Sequence, residues 1–123
     1  MIDERLAVYL DVMKDASAHA MAFVEGLSKD EFLRDEKTKA AVAMCFIRIG
    51  EGTARIEQRL PDFIAGHPDW PWNEIRAMRN RSAHDYEQLN FDTIWVTLHT
   101  SVPRLYALID ALGPLDPRDH SGS

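Results

Sequence analysis

Apolar and small residues recur at intervals of three and four positions through most of the chain, and this spacing constrains the fold more than any other feature. An α-helix completes a turn in about 3.6 residues, so side chains at these intervals share one helical face. The first such stripe consists of Leu6, Leu10, Met13, Ser17, Ala20, Val24 and Leu27. No segment has the alternating pattern of a half-buried strand. The sequence therefore predicts an all-α protein.

The first two long helices have recognisable boundaries. The stripe above predicts a first helix over about residues 3–26. Ser28 and Glu31 have the Ser-x-x-Glu spacing of a capping box, which indicates a short helical turn. Asp35 can cap a second long helix over about residues 36–59. The middle of this helix is apolar on nearly every side, so we expect it to lie centrally and to touch several neighbours.

The second half of the chain contains two further predicted helices. Prolines and glycines break the helical pattern between residues 60 and 72. A third, shorter helix is predicted over about residues 73–84, beginning at Asn73. A fourth helix follows, with Asp92 as its cap, and Pro103 within it should kink or divide it.

These elements predict one domain. A chain of 123 residues has the length of a single domain, and we expect it to span residues 1–113 as an up-down bundle of four main helices. Gly113 and Pro114 end the last helix, and the polar stretch over residues 114–123 predicts a disordered tail.

Composition restricts the classes of function. The net charge of −6 argues against a general nucleic-acid binder, so any RNA contact requires a local basic patch. The single cysteine, Cys45, is predicted to be a buried small residue in a reducing environment. The chain shows no metal-binding or phosphate-loop motif, so we expect neither a metal nor a cofactor. With no apolar run long enough to cross a membrane and no secretory signal, we expect a cytoplasmic location and no membrane partner.

The sequence RNRSAHDY, residues 79–86, concentrates groups suited to phosphoryl transfer. The guanidinium of Arg79 can contact a phosphate through two hydrogen bonds, and the imidazole of His84 can exchange a proton near neutral pH. In RNA the attacking 2′-hydroxyl already adjoins its phosphate. A site that cleaves RNA therefore needs only a base, an acid and charge stabilisation.

Spacing within this cluster favours a site shared by two copies of the chain. On an ideal helix, residues five apart are separated by roughly 140°, so Arg79 and His84 converge only if the helix tightens, unwinds or ends. Asn80 lies four residues before His84 and could orient its ring. Cleavage needs both a base and an acid, whereas the cluster has one histidine. A symmetric homodimer would supply two.

The flanking sequence of the cluster resembles a known family. Arg79, His84 and Tyr86 form an Arg-x4-His-x-Tyr pattern inside MRNRSAHDY. The segments RLAVYLDVM, IRIGEGTARI and PDWPWNEIRAMRN are similar to the same family. Together they resemble HEPN-superfamily ribonuclease toxins of the HepT-like type, over about residues 4–112.

The resemblance implies an all-α homodimer with a metal-independent RNA-cleaving cleft, and a minimal nucleotidyltransferase as its antitoxin. It implies that Arg79 and His84 are catalytic and that Asn80 supports them. Tyr86 would be the residue that the antitoxin modifies with AMP. From the residues alone, a tyrosine that follows a helix can equally well pack against the protein.

Other residues have more than one interpretation. Glu51 could support the cluster or form a structural ion pair. Arg76 and Arg81 could contact RNA weakly. Three arginines of the second helix could extend a basic patch or form a solvated face: Arg48, Arg55 and Arg59. Two tryptophans are predicted to anchor the loop before the third helix: Trp70 and Trp72. The remaining histidines show no ligand spacing: His19, His67, His99 and His120.

The same residues are compatible with a second function. The chain could be a non-catalytic helical dimer that docks a nucleotidyltransferase, with residues 79–86 as the interface. The net charge of −6 and the carboxylate of Asp85 beside the proposed phosphate site favour this alternative.

Overall fold

A computed structural model describes residues 3–79 and 86–115, and every structural statement below concerns those residues. They contain helices and no strand, which confirms the predicted all-α class. The helices are α1 (Glu4–Val24), α2 (Lys29–Arg34), α3 (Glu36–Arg59), α4 (Pro61–Gly66), α5 (Trp72–Ala77), α6 (Phe91–His99) and α7 (Ser101–Asp110). The arrangement as an up-down bundle of four main helices, and the homodimer, stay predictions.

Local capping signals confirm the predicted starts of the early helices. The Ser28 hydroxyl accepts a hydrogen bond from the Glu31 amide at 3.1 Å, and the Glu31 carboxylate accepts one from the Ser28 amide at 2.8 Å. This is the predicted capping box, and it begins α2. The Asp35 carboxylate accepts from the Thr38 amide at 3.1 Å and caps α3.

The core lies where α1 packs along α3 and α7. Gly52 allows α1 and α3 to approach closely, because a Cβ at this position would lie 2.5 Å from Met13 Cγ. The hydroxyls of Ser17 and Thr53 are fully buried and donate to the carbonyls of Met13 and Ile49, at 2.8 and 3.1 Å. Each polar group is thereby satisfied within its own helix. The largest fully buried side chains include Leu10, Met13, Phe32, Ile49, Ile56, Ile75, Leu98, Leu105 and Ile109.

The predicted third helix is shorter than the sequence indicates. It begins at Trp72 rather than Asn73 and ends at Ala77 rather than near residue 84. The amides of Met78 and Arg79 bond to carbonyls three residues back, at 3.1 and 3.2 Å, and these tighter bonds close the last turn. Arg79 therefore lies outside the helix, and the prediction that α5 carries it is wrong.

The break between residues 60 and 72 contains a helix that the sequence interpretation missed. Pro61 is the first residue of α4, where its fixed φ suits a helix and its missing N–H is not needed. Gly66 is the last residue of the same helix. Proline at the first position and glycine at the end are signals of helix boundaries, although both residues also interrupt helices when they lie inside them.

The predicted fourth helix is divided into α6 and α7 at Thr100. This confirms the effect expected of Pro103, whose ring would clash with the carbonyl of His99 in a continuous helix. Pro103 instead occupies the first turn of α7.

The cap of α6 is Asn90, which corrects the prediction of Asp92. The Asn90 side chain accepts from the amides of Asp92 and Thr93, at 3.0 and 3.2 Å. Both residues are good caps, but the helix begins at Phe91, so Asp92 falls in its first turn.

The chain after α7 turns at Gly113, whose φ of 85° lies in the left-handed region. Leu115 follows and is buried in the core. The predicted tail continues to residue 123, and residues 116–123 lie outside the described part, so the division at residue 113 stays a prediction. In the described part, the helices are all too short or too polar to cross a membrane.

Candidate functional site

Arg79 packs closely against α3 because Gly50 has no side chain at the point of contact. A Cβ at Gly50 would lie 2.7 Å from Arg79 Cα and 2.8 Å from Arg79 Cβ. Atoms of real side chains do not approach this closely, so only glycine permits the contact. Gly50 is also buried. This approach fixes the backbone of Arg79 just beyond the end of α5.

The next residue of α3 fixes the side chain of Arg79. Glu51 Oε1 accepts a hydrogen bond from Arg79 Nε at 3.1 Å. The two side chains are 39% and 44% exposed, so water screens the pair and its value lies in orientation more than in stability. The predicted ion pair of Glu51 is confirmed, and its partner is the arginine of the 79–86 cluster.

A second arginine is held in the same manner on α5. Arg76 Nε donates to Glu57 Oε1 at 2.6 Å, and Arg76 Nη1 donates to Asn73 Oδ1 at 3.2 Å. Two successive arginine–glutamate pairs therefore connect the end of α5 to α3.

These pairs line an open groove between α3 and α5, with a volume of about 630 Å³. Its lining is Glu51, Ala54, Arg55, Glu57, Gln58, Arg76 and Arg79. In the part of the chain that the structure describes, the lining contains three arginines and two glutamates, whereas the whole chain carries a net charge of −6. The groove is a local basic surface on an acidic protein, as an RNA contact would require.

The structure distinguishes the three arginines of α3 that could extend a basic patch or form a solvated face: Arg48, Arg55 and Arg59. Arg48 lies 3.9 Å from Asp15 of α1, and Arg59 donates to the Tyr9 hydroxyl at 2.6 Å. Both therefore face α1. Arg55 is exposed and lines the groove. Of the three, only Arg55 extends the basic surface next to Arg79.

Aromatic residues near the site pack as structural elements. Trp70 and Trp72 are both buried and stack with ring centroids 5.3 Å apart, which confirms that they anchor the loop before α5. Trp72 Nε1 also donates to the His67 carbonyl at 2.7 Å. Tyr86 is half-buried, and its ring meets Phe91 edge-on at 5.6 Å. The packing of Tyr86 is thus established, whereas its modification stays a prediction.

Three predicted site residues lie outside the described part of the chain, Asn80, Arg81 and His84, and so does the neighbouring Asp85. The relative placement of Arg79 and His84 therefore stays a prediction. Within residues 3–79 and 86–115, His, Cys, Asp and Glu side chains form no cluster that could hold a metal ion. Cys45 is buried, and burial raises the pKa of its thiol, as expected of an interior cysteine.

Gly50 is a residue of the candidate site that the sequence interpretation missed. Its signal is the pair of glycines in IGEG, since glycine inside a helix costs about 1 kcal/mol relative to alanine and usually indicates a close approach of backbone. Gly50 admits Arg79 on one side of α3, and Gly52 admits α1 on another.

Comparison with known proteins places the chain in a family. The model of ribonuclease HepT-like proteins matches residues 13–112. A candidate RNase of Methanocaldococcus jannaschii is 33% identical over 103 residues, which cover 82% of this chain and 79% of that protein. A protein of Thermococcus cleftensis named probable ribonuclease HepT is 30% identical over 104 residues, which cover 85% of this chain and 92% of that protein. No solved structure matches significantly. The chain therefore belongs to the ribonuclease HepT-like family.

Proposed function

We propose that this protein is an endoribonuclease that cleaves RNA without a metal ion, with Arg79 and His84 as its catalytic residues. The observation that carries the proposal is the seating of Arg79 by Gly50 and Glu51 beside a basic groove. Family membership supports it, since relatives of this chain are named as ribonucleases. An arginine fixed in this way is suited to hold a phosphate.

The reaction follows from the chemistry of RNA. The 2′-hydroxyl oxygen attacks the adjacent phosphorus in line, and the bond from phosphorus to the 5′-oxygen of the next nucleotide breaks. A histidine removes the 2′ proton, and a protonated histidine supplies a proton to the leaving 5′-oxygen. Arg79 stabilises the negative charge on the phosphoryl oxygens. The products end in a 2′,3′-cyclic phosphate and a 5′-hydroxyl.

The base and the acid require two histidines, which we assign to two protomers. Each chain supplies His84 from its own cluster, and a two-fold axis between the clusters brings the pair together. Asn80 is proposed to orient the imidazole of His84. The protein then works as a homodimer with one shared cleft. Arg76 and Arg81 are proposed to contact the RNA weakly.

The activity is tested by incubating the purified protein with RNA in the presence of EDTA. We expect cleavage, with cyclic phosphate ends on the products. His84→Ala and Arg79→Ala should each lower kcat at least about 100-fold while the thermal unfolding midpoint stays close to that of the wild type. Full activity in His84→Ala would contradict the mechanism, and cleavage that EDTA abolishes would contradict metal independence.

We further propose that the protein is the toxin of a toxin–antitoxin pair in the cytoplasm. A minimal nucleotidyltransferase would act as the antitoxin, and the oxygen of Tyr86 would attack the α-phosphorus of ATP, lose its proton and release pyrophosphate. The resemblance of the 79–86 cluster to HepT-like toxins supports this role. The intact mass after co-expression with such an enzyme should increase by one AMP, and Tyr86→Phe should abolish the increase. An adduct on another residue would contradict the assignment of Tyr86.

One observation favours a second candidate function, a non-catalytic dimer that docks a nucleotidyltransferase. Glu51 and Glu57 compensate the charges of Arg79 and Arg76, and the chain as a whole is acidic. Both features weaken attraction to RNA. This alternative predicts a stable complex with the partner and no cleavage of RNA at any ratio of the two proteins.

A further inference from the structure

The basic groove extends past Arg79 along α3, and its next cation is Arg55. We propose that Arg55 binds a second phosphate of the RNA strand, adjacent to the phosphate that Arg79 contacts. This inference rests on the proposed function, because it takes the strand that Arg79 holds as its starting point. It gives the direction in which the strand leaves the cleavage site.

The charge distribution within the groove singles out Arg55. Arg79 is paired with Glu51, and Arg76 is paired with Glu57 and Asn73. Arg55 forms no salt bridge with any residue in the ranges 3–79 and 86–115. Arg55 is an exposed residue and gives the described lining its excess positive charge.

The position of Arg55 suits the next phosphate along a strand. Arg55 lies four residues after Glu51, so both side chains project from one face of α3, about 6 Å apart along the helix axis. Glu51 is the residue that fixes Arg79. Arg55 and Arg79 line the same groove, so one RNA strand that lies in it can contact both.

The lining favours a phosphate chain over a protein segment. Among the lining residues within 3–79 and 86–115, Ala54 is the single apolar one, and the others are charged or polar. The buried centre of a protein interface is depleted in charged residues and rich in aromatic ones. The volume of about 630 Å³ is within the range of sites that hold molecules of nucleotide size.

The test measures binding of the full-length protein to a short 2′-O-methyl RNA oligonucleotide, which keeps the phosphates but lacks the attacking hydroxyl. Affinity is measured over a series of salt concentrations for the wild type, Arg55→Gln and Arg59→Gln. Arg59→Gln is the matched control, because it removes the same charge from the next turn of α3 on the side that faces Tyr9. Cleavage of unmodified RNA is measured separately.

For Arg55→Gln, we expect the slope of log affinity against log salt to fall by about 0.7 and the Kd at low salt to rise roughly tenfold. We expect Arg59→Gln to match the wild type within about twofold.

An Arg55→Gln slope equal to that of the wild type would overturn the inference, and so would an equal effect of the two variants. If RNA binding is unchanged and a nucleotidyltransferase complex weakens instead, Arg55 belongs to a protein interface. Because binding is read without cleavage, a protein that binds through Arg55 but cleaves nothing would refute the proposed function and leave this inference standing.

Discussion

Arg79 is held by two consecutive residues of α3 that act on different parts of it. The absence of a side chain at Gly50 leaves space for the backbone of Arg79, and Glu51 Oε1 accepts a hydrogen bond from Arg79 Nε at 3.1 Å. The sequence predicted Arg79 and Glu51 as site residues because their residue types suit the chemistry. It did not specify that they pair, since they lie 28 positions apart and only tertiary packing brings them together.

We expect Glu51→Gln to disturb the orientation of the Arg79 side chain without a large change in the stability of the fold. The amide loses the charge that holds Arg79, so kcat should fall roughly tenfold, while KM should not rise because a negative charge has left the groove. The unfolding free energy should change by less than about 1 kcal/mol, because the pair is partly exposed. Steady-state RNA cleavage and urea unfolding check both expectations. Glu36→Gln is the control, since that exposed carboxylate pairs with Lys39 at the opposite end of α3. An unchanged kcat in Glu51→Gln would show that Arg79 needs no orienting partner.

Among the elements, α3 organises the site, because it contacts α1, α2, α4 and α5. Its boundaries were predictable from sequence, since the Asp35 cap and the apolar stripe are local signals. The end of α5 could not be predicted from the sequence. Residues 78–84 contain no proline or glycine, so nothing local stops the helix at Ala77. The tightened last turn and the contact of Arg79 with Gly50 depend on packing against α3.

Gly50→Ala tests the seat that α3 provides for Arg79. Alanine gains about 1 kcal/mol of helix propensity, but its Cβ would lie 2.7 Å from Arg79 Cα, and relieving such a clash costs about 1–3 kcal/mol. We expect a net loss of stability and a loss of RNA cleavage of at least about tenfold, because Arg79 must move. Thermal unfolding and cleavage assays measure the two effects.

The control for this substitution is Gly66→Ala, at the end of α4. A Cβ at Gly66 would meet no atom within 4 Å, so the variant should retain wild-type activity and lose no stability. Equal behaviour of the two variants would show that the close approach at Gly50 has no role in the site.

The start of α3 should make stability depend on acid pH. The hydrogen bond from the Thr38 hydroxyl to Asp35, at 2.7 Å, and then the bond from the Thr38 amide hold the pKa of Asp35 below its ordinary value. A carboxyl whose pKa is lowered by folding stabilises the protein above its unfolded pKa, and this stabilisation is lost as pH falls through the folded pKa, below about pH 4. Asp35→Asn keeps a good cap but cannot titrate. Its urea midpoint should fall less steeply with acid than that of the wild type, and an identical acid dependence would exclude Asp35 as a contributor.

For the whole molecule, the balance of charge and the count of histidines determine how the site can work. The net charge of −6 opposes long-range attraction to RNA, so the proposed binding of RNA depends on the groove between α3 and α5. The sequence predicted an ion pair for Glu51, but not its partner, the Arg76–Glu57 pair or the groove, because these combine two elements distant in the chain. The sequence did indicate that one chain has half of an acid–base site. From the single histidine of the cluster we propose that two protomers share one RNA-cleaving cleft.

The most direct test of this claim is the RNA cleavage rate of mixed dimers. Wild-type and His84→Ala chains are mixed in varying ratios under conditions that exchange protomers, at constant total protein. If one cleft needs His84 from both chains, mixed dimers are inactive and the rate should fall as the square of the wild-type fraction. A linear fall would contradict the claim by showing that each chain carries a complete site, and a rate independent of the ratio would show that His84 has no part in cleavage.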